Sequence, residues 1–426
     1  MDTFFGGGRP PERFQVGVEF ERFALSPKTG FPLPYDGEVS VRSILKHFSP
    51  QWTPILDDHR WIGLKRGQDA ITLEPGGQVE LSSRAYSTVE EMDQGLRDVH
   101  GEMKTISNTL GFQWADVGFL PSISVEEASW MPKSRYKIMR QKYETRDRAF
   151  LEMMTMTASI QVNFDYQDEQ DAKRKMFVSS MLGPVVAALY SNSSVEKFRA
   201  SKVLGRRQSI WMHSDPDRTG TPAFFVDGSF SFERYMEYAL DVPMYFIVRD
   251  GSYHDRTHQT FREYLSSSDD VQLGDWDLHL TTLFPDVRLK NHLEVRTADQ
   301  NSIDLAVALG VFWFQISRSE DLLSALEEHF SAFAYSDLMR AYDELIHKGL
   351  HAELGGVTLA SHAKTAAEKA IHTMDSKEQE CFLPFFDLAQ AGTSPGEMRK
   401  KRLSASAEPW TLADILKESD PRGKTL

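Results

Sequence analysis

Residues 71–82 read ITLEPGGQVELS, a stretch in which two short strand-like runs flank a turn. The runs contain residues that favour strands, and the Pro-Gly-Gly between them is typical of a turn. This arrangement predicts a β-hairpin. Glu74 and Glu80 lie on its two arms, so the pairing register decides whether their carboxylates share one face of a sheet.

A second strand-like stretch is GVEFERF at residues 17–23, which places Glu19 and Glu21 two positions apart. Because successive side chains of a strand point to opposite faces, both carboxylates should leave the same face. Phe20 should then point toward the opposite layer. Together the two stretches can bring four glutamates to one surface.

Strand-like and helical stretches interleave along the chain, which favours an α+β protein. The clearest helix begins at a capping box formed by Ser87 and Glu90 and ends at Gly111. After residue 318 the pattern is helical throughout, so we expect residues 319–426 to form a helical layer with a polar tail, packed on residues 1–318. Further predicted strands are residues 112–120, 159–165, 242–248 and 291–298, and further predicted helices are near residues 134–146, 171–190, 230–239 and 302–316.

Charge and cysteine content exclude several classes of partner. The formal net charge of −14 disfavours nucleic acid, which is bound through a basic face. The basic run at residues 399–402 is predicted to be a solvated loop. Cys381, the single cysteine, is expected to be a buried hydrophobe, and its isolation indicates a reducing compartment, so we predict a cytoplasmic location. Residues 303–316 are too short to cross a bilayer, and we expect a monomer or homodimer without a membrane partner.

Familiar catalytic motifs are absent from the sequence. There is no G-x-G-x-x-G after a strand and no G-x-x-x-x-G-K-[ST], so nucleotide binding would need another device. The histidines show no zinc-type spacing, and no G-x-S-x-G elbow occurs.

The glutamates are candidate ligands for Mg²⁺, which prefers hard oxygen donors. A fifth carboxylate, Glu294, alternates with apolar residues in the strand-like run HLEVRTAD at residues 292–299. The alternative is that each glutamate only covers the solvated face of an antiparallel sheet.

Cationic and amide residues supply a second group. Arg288, Lys290 and Arg296 recur within VRLKNHLEVR, where spacing by two places a stripe of charge on one strand face. Such a stripe can neutralise a transferring phosphoryl group. Arg135 and Arg207 can pair with carboxylates bidentately, although a surface ion pair is the alternative for each arginine.

Gln161 and Asn163 alternate in the apolar run SIQVNFD at residues 159–165. Their amides should leave one face of a strand and need partners there, which are either backbone groups or a ligand.

Seven segments in this order resemble the plant-type glutamate-cysteine ligases, a family also found in bacteria. The resemblance runs from about residue 14 to about residue 316. The segments are GVEFERF, ITLEPGGQVELS, MPKSRYKIM, SIQVNFD, DPDRTG, YALDVPMYF and HLTTLFPDVRLKNHLEVRTAD.

The resemblance implies a curved antiparallel sheet flanked by helices, of the type found in the catalytic domain of glutamine synthetase and the guanidino kinases. It implies that residues 1–318 are a catalytic domain that uses ATP and Mg²⁺. ATP would phosphorylate the γ-carboxylate of glutamate, and the amino group of cysteine would displace phosphate to give γ-glutamylcysteine for glutathione or related thiol biosynthesis. The alternatives are a γ-glutamyl ligase with another amine acceptor, a catalytically silent binding protein and a phosphagen-type kinase.

The resemblance also implies roles for individual residues. Arg296 and Lys290 would act in catalysis and, with Arg288, at the phosphates of the nucleotide. The residues expected to bind the amino-acid substrates are Arg135, Arg207, Asn163 and Gln161, and the expected metal ligands are Glu19, Glu21, Glu74, Glu80 and Glu294.

Overall fold

The computed structural model describes residues 1–48, 50–404 and 410–416. Most of the strands belong to one large sheet, and four short two-stranded sheets accompany it within these residues. The strands are β1 (Val16–Leu25), β2 (Thr53–Asp57), β3 (Arg60–Arg66), β4 (Asp69–Leu73), β5 (Gln78–Ser82), β6 (Gln113–Ala115), β7 (Ser159–Phe164), β8 (Val195–Glu196), β9 (Arg199–Ala200), β10 (Thr219–Gly220), β11 (Phe246–Arg249), β12 (Ser252–Asp255), β13 (Phe284–Pro285), β14 (Val287–Leu289), β15 (Leu293–Asp299), β16 (Glu353–Leu354) and β17 (Val357–Thr358).

The large sheet has the strand order β14-β15-β7-β1-β5-β4-β3-β2, and β6 pairs with β1 beside β7. All its pairings are antiparallel. The predicted hairpin is confirmed as β4 and β5, in register so that Thr72 faces Glu80. On its other side Glu80 lies opposite Glu21 of β1, and Glu19 lies opposite Gln161 of β7.

Helices cover one face of this sheet and form further layers behind it. The helices are α1 (Asp2–Phe5), α2 (Val41–His47), α3 (Val89–Leu110), α4 (Ser134–Tyr143), α5 (Arg148–Met156), α6 (Glu169–Leu189), α7 (Arg206–Met212), α8 (Phe232–Asp241), α9 (Phe261–Ser267), α10 (Leu273–Leu280), α11 (Ile303–Arg318), α12 (Glu320–Phe330), α13 (Tyr335–Lys348), α14 (Leu359–Ile371), α15 (Ser376–Ala391), α16 (Pro395–Leu403) and α17 (Leu412–Leu416).

Helix α11 packs against β1, and α3 packs against α11 and β6. The ring of Phe20 lies 6.5 Å from that of His100 in α3, so Phe20 points to the helical layer as predicted. Gly310 lets α11 approach closely, since a Cβ at this position would lie 3.1 Å from Val18. The core position predicted for residues 303–316 is confirmed, and within the described ranges no helix has both the length and the apolar character needed to cross a bilayer.

The residues after 318 are mainly helical and pack on the layer formed by α6 and α11. The ring of Phe312 in α11 stacks on Phe385 of α15 with centroids 4.5 Å apart. Arg174 of α6 donates hydrogen bonds to Glu320 at 2.8 and 2.9 Å. The division into a catalytic domain and a helical region stays a prediction, and the predicted polar tail, ESDPRGKTL at residues 418–426, lies outside the described residues.

Two local predictions are wrong. The basic run is no loop, because it lies in α16, where Arg399 is buried and donates a hydrogen bond to the side-chain oxygen of Asn192. Helix α3 begins one position later than predicted, because Thr88 is its N-cap and accepts a hydrogen bond from the backbone N–H of Glu91 at 3.2 Å. The buried contact of Arg399 with Asn192 and the hydrogen bond of the Thr88 cap therefore determined these two structures, and the local amino-acid composition did not.

The lengths and partners of some strands also differ from the prediction. The strand expected at residues 112–120 is only β6, and β11 forms a separate hairpin with β12 instead of joining the large sheet. The β2–β3 hairpin was missed. Its turn places Asp58 and His59 at φ of 47° and 60°, a left-handed conformation without the glycine that would have marked it.

Candidate functional site

The sheet face opposite α3 and α11 carries the predicted carboxylates. Glu19 and Glu21 leave β1 on this face, and Glu80 stands beside Glu21 on β5. Glu74 follows β4 and is close enough to Glu80 for a side-chain hydrogen bond. The structure therefore brings these four glutamates together.

Polar neighbours hold the carboxylates in place. Ser82 donates its hydroxyl to Glu80 at 2.7 Å, and the backbone N–H of Ser159 donates to Glu21 at 2.5 Å. The side-chain amide of Asn163 donates to Glu19 at 3.0 Å. The other end of that amide, the oxygen Oδ1, is buried without a hydrogen-bond partner in the described structure, so an acceptor remains available beside the carboxylates.

Burial raises the pKa of three of these carboxyl groups, and repulsion between them raises it further. The pKa of Glu19 rises to about 7, with Glu294 and Glu80 as the repelling neighbours. That of Glu21 rises to about 8 through Glu80 and Glu74, and that of Glu80 to about 7 through Glu74. The face is therefore poised to accept positive charge, either as protons or as a cation.

Below about pH 6.5, His100, His279 and His292, whose pKa values desolvation lowers to about 4, 4 and 3, bind fewer protons in the folded state than in the unfolded chain and offset the raised carboxyl groups. The raised pKa values of the three glutamates therefore predict that the metal-free protein becomes less stable as the pH rises from about 6.5 to about 8. In that window the folded protein retains protons that the unfolded chain releases, so the free energy of unfolding falls with increasing pH. Thermal unfolding in the presence of a chelator, followed across the window, measures the slope.

Glu21→Gln is the matched variant for this measurement, because it removes one of the titrating groups without changing the side-chain shape. Its stability should depend less steeply on pH than that of the wild type. Identical slopes for the two proteins would show that Glu21 does not carry the effect.

Glu294 does not join the acidic group, although it was placed among the metal ligands. It is fully buried, and Arg288 pairs with it at 2.6 Å while Lys290 does so at 2.9 Å. Arg296 is a third cationic partner. Burial alone would raise the pKa of Glu294, but these three cations outweigh burial and hold the pKa well below its usual range. Glu294 is therefore the counter-ion of a cationic cluster.

Arg288 also differs from the prediction, which placed it at the phosphates of a nucleotide. Its Nε and Nη2 donate to Glu294, and its Nη1 donates to the carbonyls of Thr281 and Leu283 at 2.9 Å each. All its donor groups are thus used within the protein, so Arg288 supports the cluster.

Arg296 has donor capacity left. It donates to the side-chain oxygen of Gln161 and to Glu294, whereas its buried Nε has no partner among the described residues. Its guanidinium lies 5.6 Å from the ring centroid of Trp211 and 5.7 Å from that of Phe284. These rings restrict the guanidinium and leave it facing the cavity described below.

The two arginines predicted to bind amino acids have different surroundings. The buried Arg207 donates to the carbonyls of Thr297 and Arg296 at 3.2 and 2.8 Å, so part of its guanidinium is used to hold β15. Arg135, near the start of α4, has a buried Nε that lacks any hydrogen-bond partner in the described structure. Arg135 is therefore the better prepared of the two for an anionic ligand.

One cavity collects most of the predicted residues. Asn163 and Glu294 are not part of its wall but contact residues that are, namely Glu19 and Arg288, and Lys290 contacts Glu294. The predicted residues that line it are Glu19, Glu21, Glu74, Glu80, Arg135, Gln161, Arg207, Arg288 and Arg296.

The apolar part of the cavity wall was missed by the sequence analysis. It comes from α4, α5, α7 and the start of β11, and its residues are Tyr136, Met139, Met153, Met154, Trp211 and Phe246. Tyr136 and Trp211 follow the predicted arginines by one and four positions, a spacing that places Trp211 on the same helical face as Arg207. Nothing in the sequence distinguishes the methionines from core residues.

The oxygen donors on this face suit Mg²⁺, but the protein side chains alone do not form a closed metal site. In the described ranges, no group of three or more His, Cys, Asp or Glu side chains is arranged to hold a metal ion by itself. The carboxylates with raised pKa and the open oxygen of Asn163 do offer the hard donors that Mg²⁺ takes. Mg²⁺ commonly binds through one or two carboxylates plus substrate phosphates, and this face suits that mode better than a closed protein cage.

Comparison with known proteins finds relatives that match most of the chain. The model of glutamate-cysteine ligase family 2 matches residues 15–381. Glutamate–cysteine ligase A, chloroplastic, of Oryza sativa subsp. japonica is 36% identical over 330 residues, which are 76% of this chain and 66% of the rice protein. The chloroplastic enzyme of Brassica juncea is 37% identical over 327 residues, 75% of this chain and 63% of that one. The chain thus spans about two thirds of the length of the curated relatives it matches.

Solved structures with low sequence identity share the fold. The glutamate–cysteine ligase of Francisella tularensis, in complex with AMP, has a TM-score of 0.56 and 11% identity, with 95% of this chain and 86% of that one covered. A bifunctional glutathione synthetase from Pasteurella multocida has a TM-score of 0.54 and 11% identity, with coverage of 95% and 51%. The predicted combination of helices with an antiparallel sheet is confirmed.

The predicted cytoplasmic location is contradicted by the relatives. The plant proteins at 34–37% identity are all named chloroplastic, so they do not support a cytoplasmic location. The sequence argument was wrong because a single cysteine indicates a reducing compartment without distinguishing one such compartment from another.

The family match extends over most of the chain, and the relatives match three quarters of it at more than 30% identity. This chain belongs to glutamate-cysteine ligase family 2.

Proposed function

We propose that this protein is an ATP-dependent ligase that joins the γ-carboxylate of glutamate to the amino group of cysteine. The observation that carries the proposal is a single cavity with an acidic face on one side and arginines on the other. Glu19, Glu21 and Glu80 form the acidic face, and Arg135 and Arg296 are among the arginines that line the other side. A reaction between a nucleoside triphosphate and an anionic substrate requires carboxylates that hold a metal ion and cationic side chains that bind the phosphates and the substrate.

In the proposed reaction an oxygen of the γ-carboxylate attacks the γ-phosphorus of ATP, and ADP leaves. The amino nitrogen of cysteine then attacks the acyl phosphate carbon, phosphate leaves and the nitrogen loses a proton, giving γ-glutamylcysteine. Arg296, with its unpartnered Nε, and Lys290 are proposed to hold the transferring phosphoryl group. Arg135 is proposed to bind a carboxylate of an amino-acid substrate, and Arg207, Gln161 and Asn163 to shape its surroundings.

Mg²⁺ is the metal that this donor set suits, and one or two carboxylates from the group Glu19, Glu21, Glu74 and Glu80 would hold it together with the phosphates of ATP. When bound, it would supply positive charge that offsets charge on the phosphates.

We propose the sheet to be of the type found in the catalytic domain of glutamine synthetase and the guanidino kinases. Residues 1–318 would be the catalytic domain, with residues 319–426 packed on it. The partners would be small molecules without nucleic acid or membrane, and the protein would act as a monomer or homodimer. The AMP in the Francisella tularensis structure supports ATP as the nucleotide.

Turnover assays test the proposal. With ATP, Mg²⁺ and glutamate, cysteine is expected to stimulate ADP release by about tenfold or more over serine and alanine, and mass spectrometry should identify γ-glutamylcysteine. The margin is expected because an acceptor pocket must recognise one small side chain.

The other outcomes separate the competing functions. If a different amine is the better acceptor by a large factor, the enzyme activates glutamate but is not specific for cysteine. ADP release without amide formation would indicate a kinase, and a lack of turnover with every amine would indicate a binding protein.

A further inference from the structure

A buried polar cluster adjoins the cavity and has no part in the proposed reaction. Asp215 and Arg218 come from the segment DPDRTG at residues 215–220, Tyr143 is the last residue of α4, and Tyr245 precedes β11. The side chains of Tyr245 and Arg218 are almost completely buried, so the cluster is not an ordinary ion pair on the protein surface.

Arg218 connects three separate segments of the chain. Its Nε donates to Asp215 at 2.6 Å, its Nη1 to the carbonyl of Thr282 at 3.0 Å and its Nη2 to the carbonyl of Pro243 at 2.8 Å. Its guanidinium also stacks 3.9 Å from the ring centroid of Tyr245. Thr282 lines the cavity, so this one side chain fixes part of the cavity wall.

Asp215 extends these connections to α4. The hydroxyl of Tyr143 donates to Asp215 and lies 3.1 Å from the hydroxyl of Tyr245. Tyr143 ends the helix whose other end carries Arg135, Tyr136 and Met139. These three side chains all line the cavity.

We propose that Tyr143, Asp215 and Arg218 are positioning residues that hold α4, and therefore Arg135, at the correct distance from the opposite wall. The inference rests on the proposed function, because it assumes that Arg135 binds an amino-acid substrate. The Nε of Arg135 has no hydrogen-bond partner among the described residues, and its guanidinium lies 5.2 Å from the ring centroid of Tyr136 in the same helix, so the position of α4 fixes the placement of the guanidinium. Small displacements of a binding group weaken substrate binding strongly.

The test is Tyr143→Phe, which removes only a hydroxyl. We expect the KM of one amino-acid substrate, the one bound by Arg135, to rise about tenfold. The KM of ATP should change by less than about twofold, because the proposed phosphate-binding residues lie on β15 and just after β14. Arg218→Lys keeps the positive charge but loses the guanidinium N–H groups that bond Asp215, Thr282 and Pro243. It should raise the KM of the same amino-acid substrate by more than Tyr143→Phe does.

Tyr190→Phe is the matched control. Tyr190 is also fully buried, and its hydroxyl donates to a single backbone carbonyl, that of Leu305, at 3.0 Å, but it does not line the cavity. This control should lower Tm by a similar amount without changing any KM.

If Tyr143→Phe lowers Tm like the control and leaves both amino-acid KM values unchanged, the cluster is only structural and the inference is wrong. Should the wild type lack turnover, the proposed function fails, and calorimetric titration with glutamate and with cysteine tests the inference by itself. Weaker binding of one amino acid to Tyr143→Phe than to wild type then supports it. Equal binding, or no binding to either protein, overturns it.

Discussion

Glu294→Gln is expected to lower the free energy of unfolding by about 3 to 5 kcal/mol, because it breaks a buried ion cluster by removing the carboxylate that pairs with all three of its cations. Arg288, Lys290 and Arg296 would lose their common counter-ion, and the new amide N–H groups would face guanidinium groups. Chemical denaturation at neutral pH measures the loss. Activity should also fall, since Arg296 would be displaced.

The matched control is Glu19→Gln, which changes a partly buried glutamate on the same sheet face. Its removal relieves repulsion, so the metal-free variant should be at least as stable as wild type. A compensating variant sharpens the test: Lys290→Met added to Glu294→Gln removes one orphaned cation and should recover part of the lost stability. Equal stability of Glu294→Gln and wild type would mean that the cluster does not depend on its anion.

The period of two in a strand was sufficient to predict the acidic face. Glu19 and Glu21 share a face because of their spacing alone, and Phe20 points to α3 for the same reason. The hairpin turn set Glu80 opposite Thr72, since a short Pro-Gly-Gly connection leaves few possible registers. The separate pairing of β5 with β1 then brought Glu80 opposite Glu21.

The same rule could not predict which charges neutralise each other. Spacing placed Arg288 and Glu294 on strand faces, but the strand β14 was not recognised as separate from β15, and its register puts the two residues directly opposite. Pairing across strands depends on that register, which spacing within one strand does not contain. Glu294 was therefore predicted to be a metal ligand when its surroundings are cationic.

The apolar wall was beyond sequence analysis for a different reason. Met139, Met153 and Trp211 come from three helices that meet only in the folded chain. Each has the helical spacing of an ordinary core residue, so local pattern gives no sign that it borders a cavity. Polar residues at a site are easier to predict, because a polar group buried in an apolar strand needs a hydrogen-bond partner or a ligand.

The contrast between the two kinds of buried glutamate leads to an expectation of opposite effects. Glu294 is stabilised by its neighbours, whereas Glu80 is destabilised by burial and by Glu74. A protein keeps a group that its neighbours repel when a ligand needs that group. Removing the charge of Glu80 should therefore lower activity while leaving stability unchanged or raising it.

Glu80→Gln is expected to reduce kcat/KM by about a hundredfold or more, because a neutral amide is a much poorer ligand for a divalent cation than a carboxylate. In the presence of a chelator the same variant should be as stable as wild type or more stable, since it removes a charge that faces Glu21 and Glu74. Turnover with Mg²⁺ and thermal unfolding without it are the two measurements.

Glu378→Gln is the control for a buried glutamate with the opposite surroundings. Glu378 lies in α15, outside the cavity wall, and accepts hydrogen bonds from Arg318 and Gln315, so its replacement should lower stability while turnover persists. If Glu80→Gln instead loses stability and keeps its activity, Glu80 has the same supporting role as Glu378, and the acidic face is not a metal site. Opposite signs in the two variants are what separate a ligand for a cation from a residue that holds the fold together.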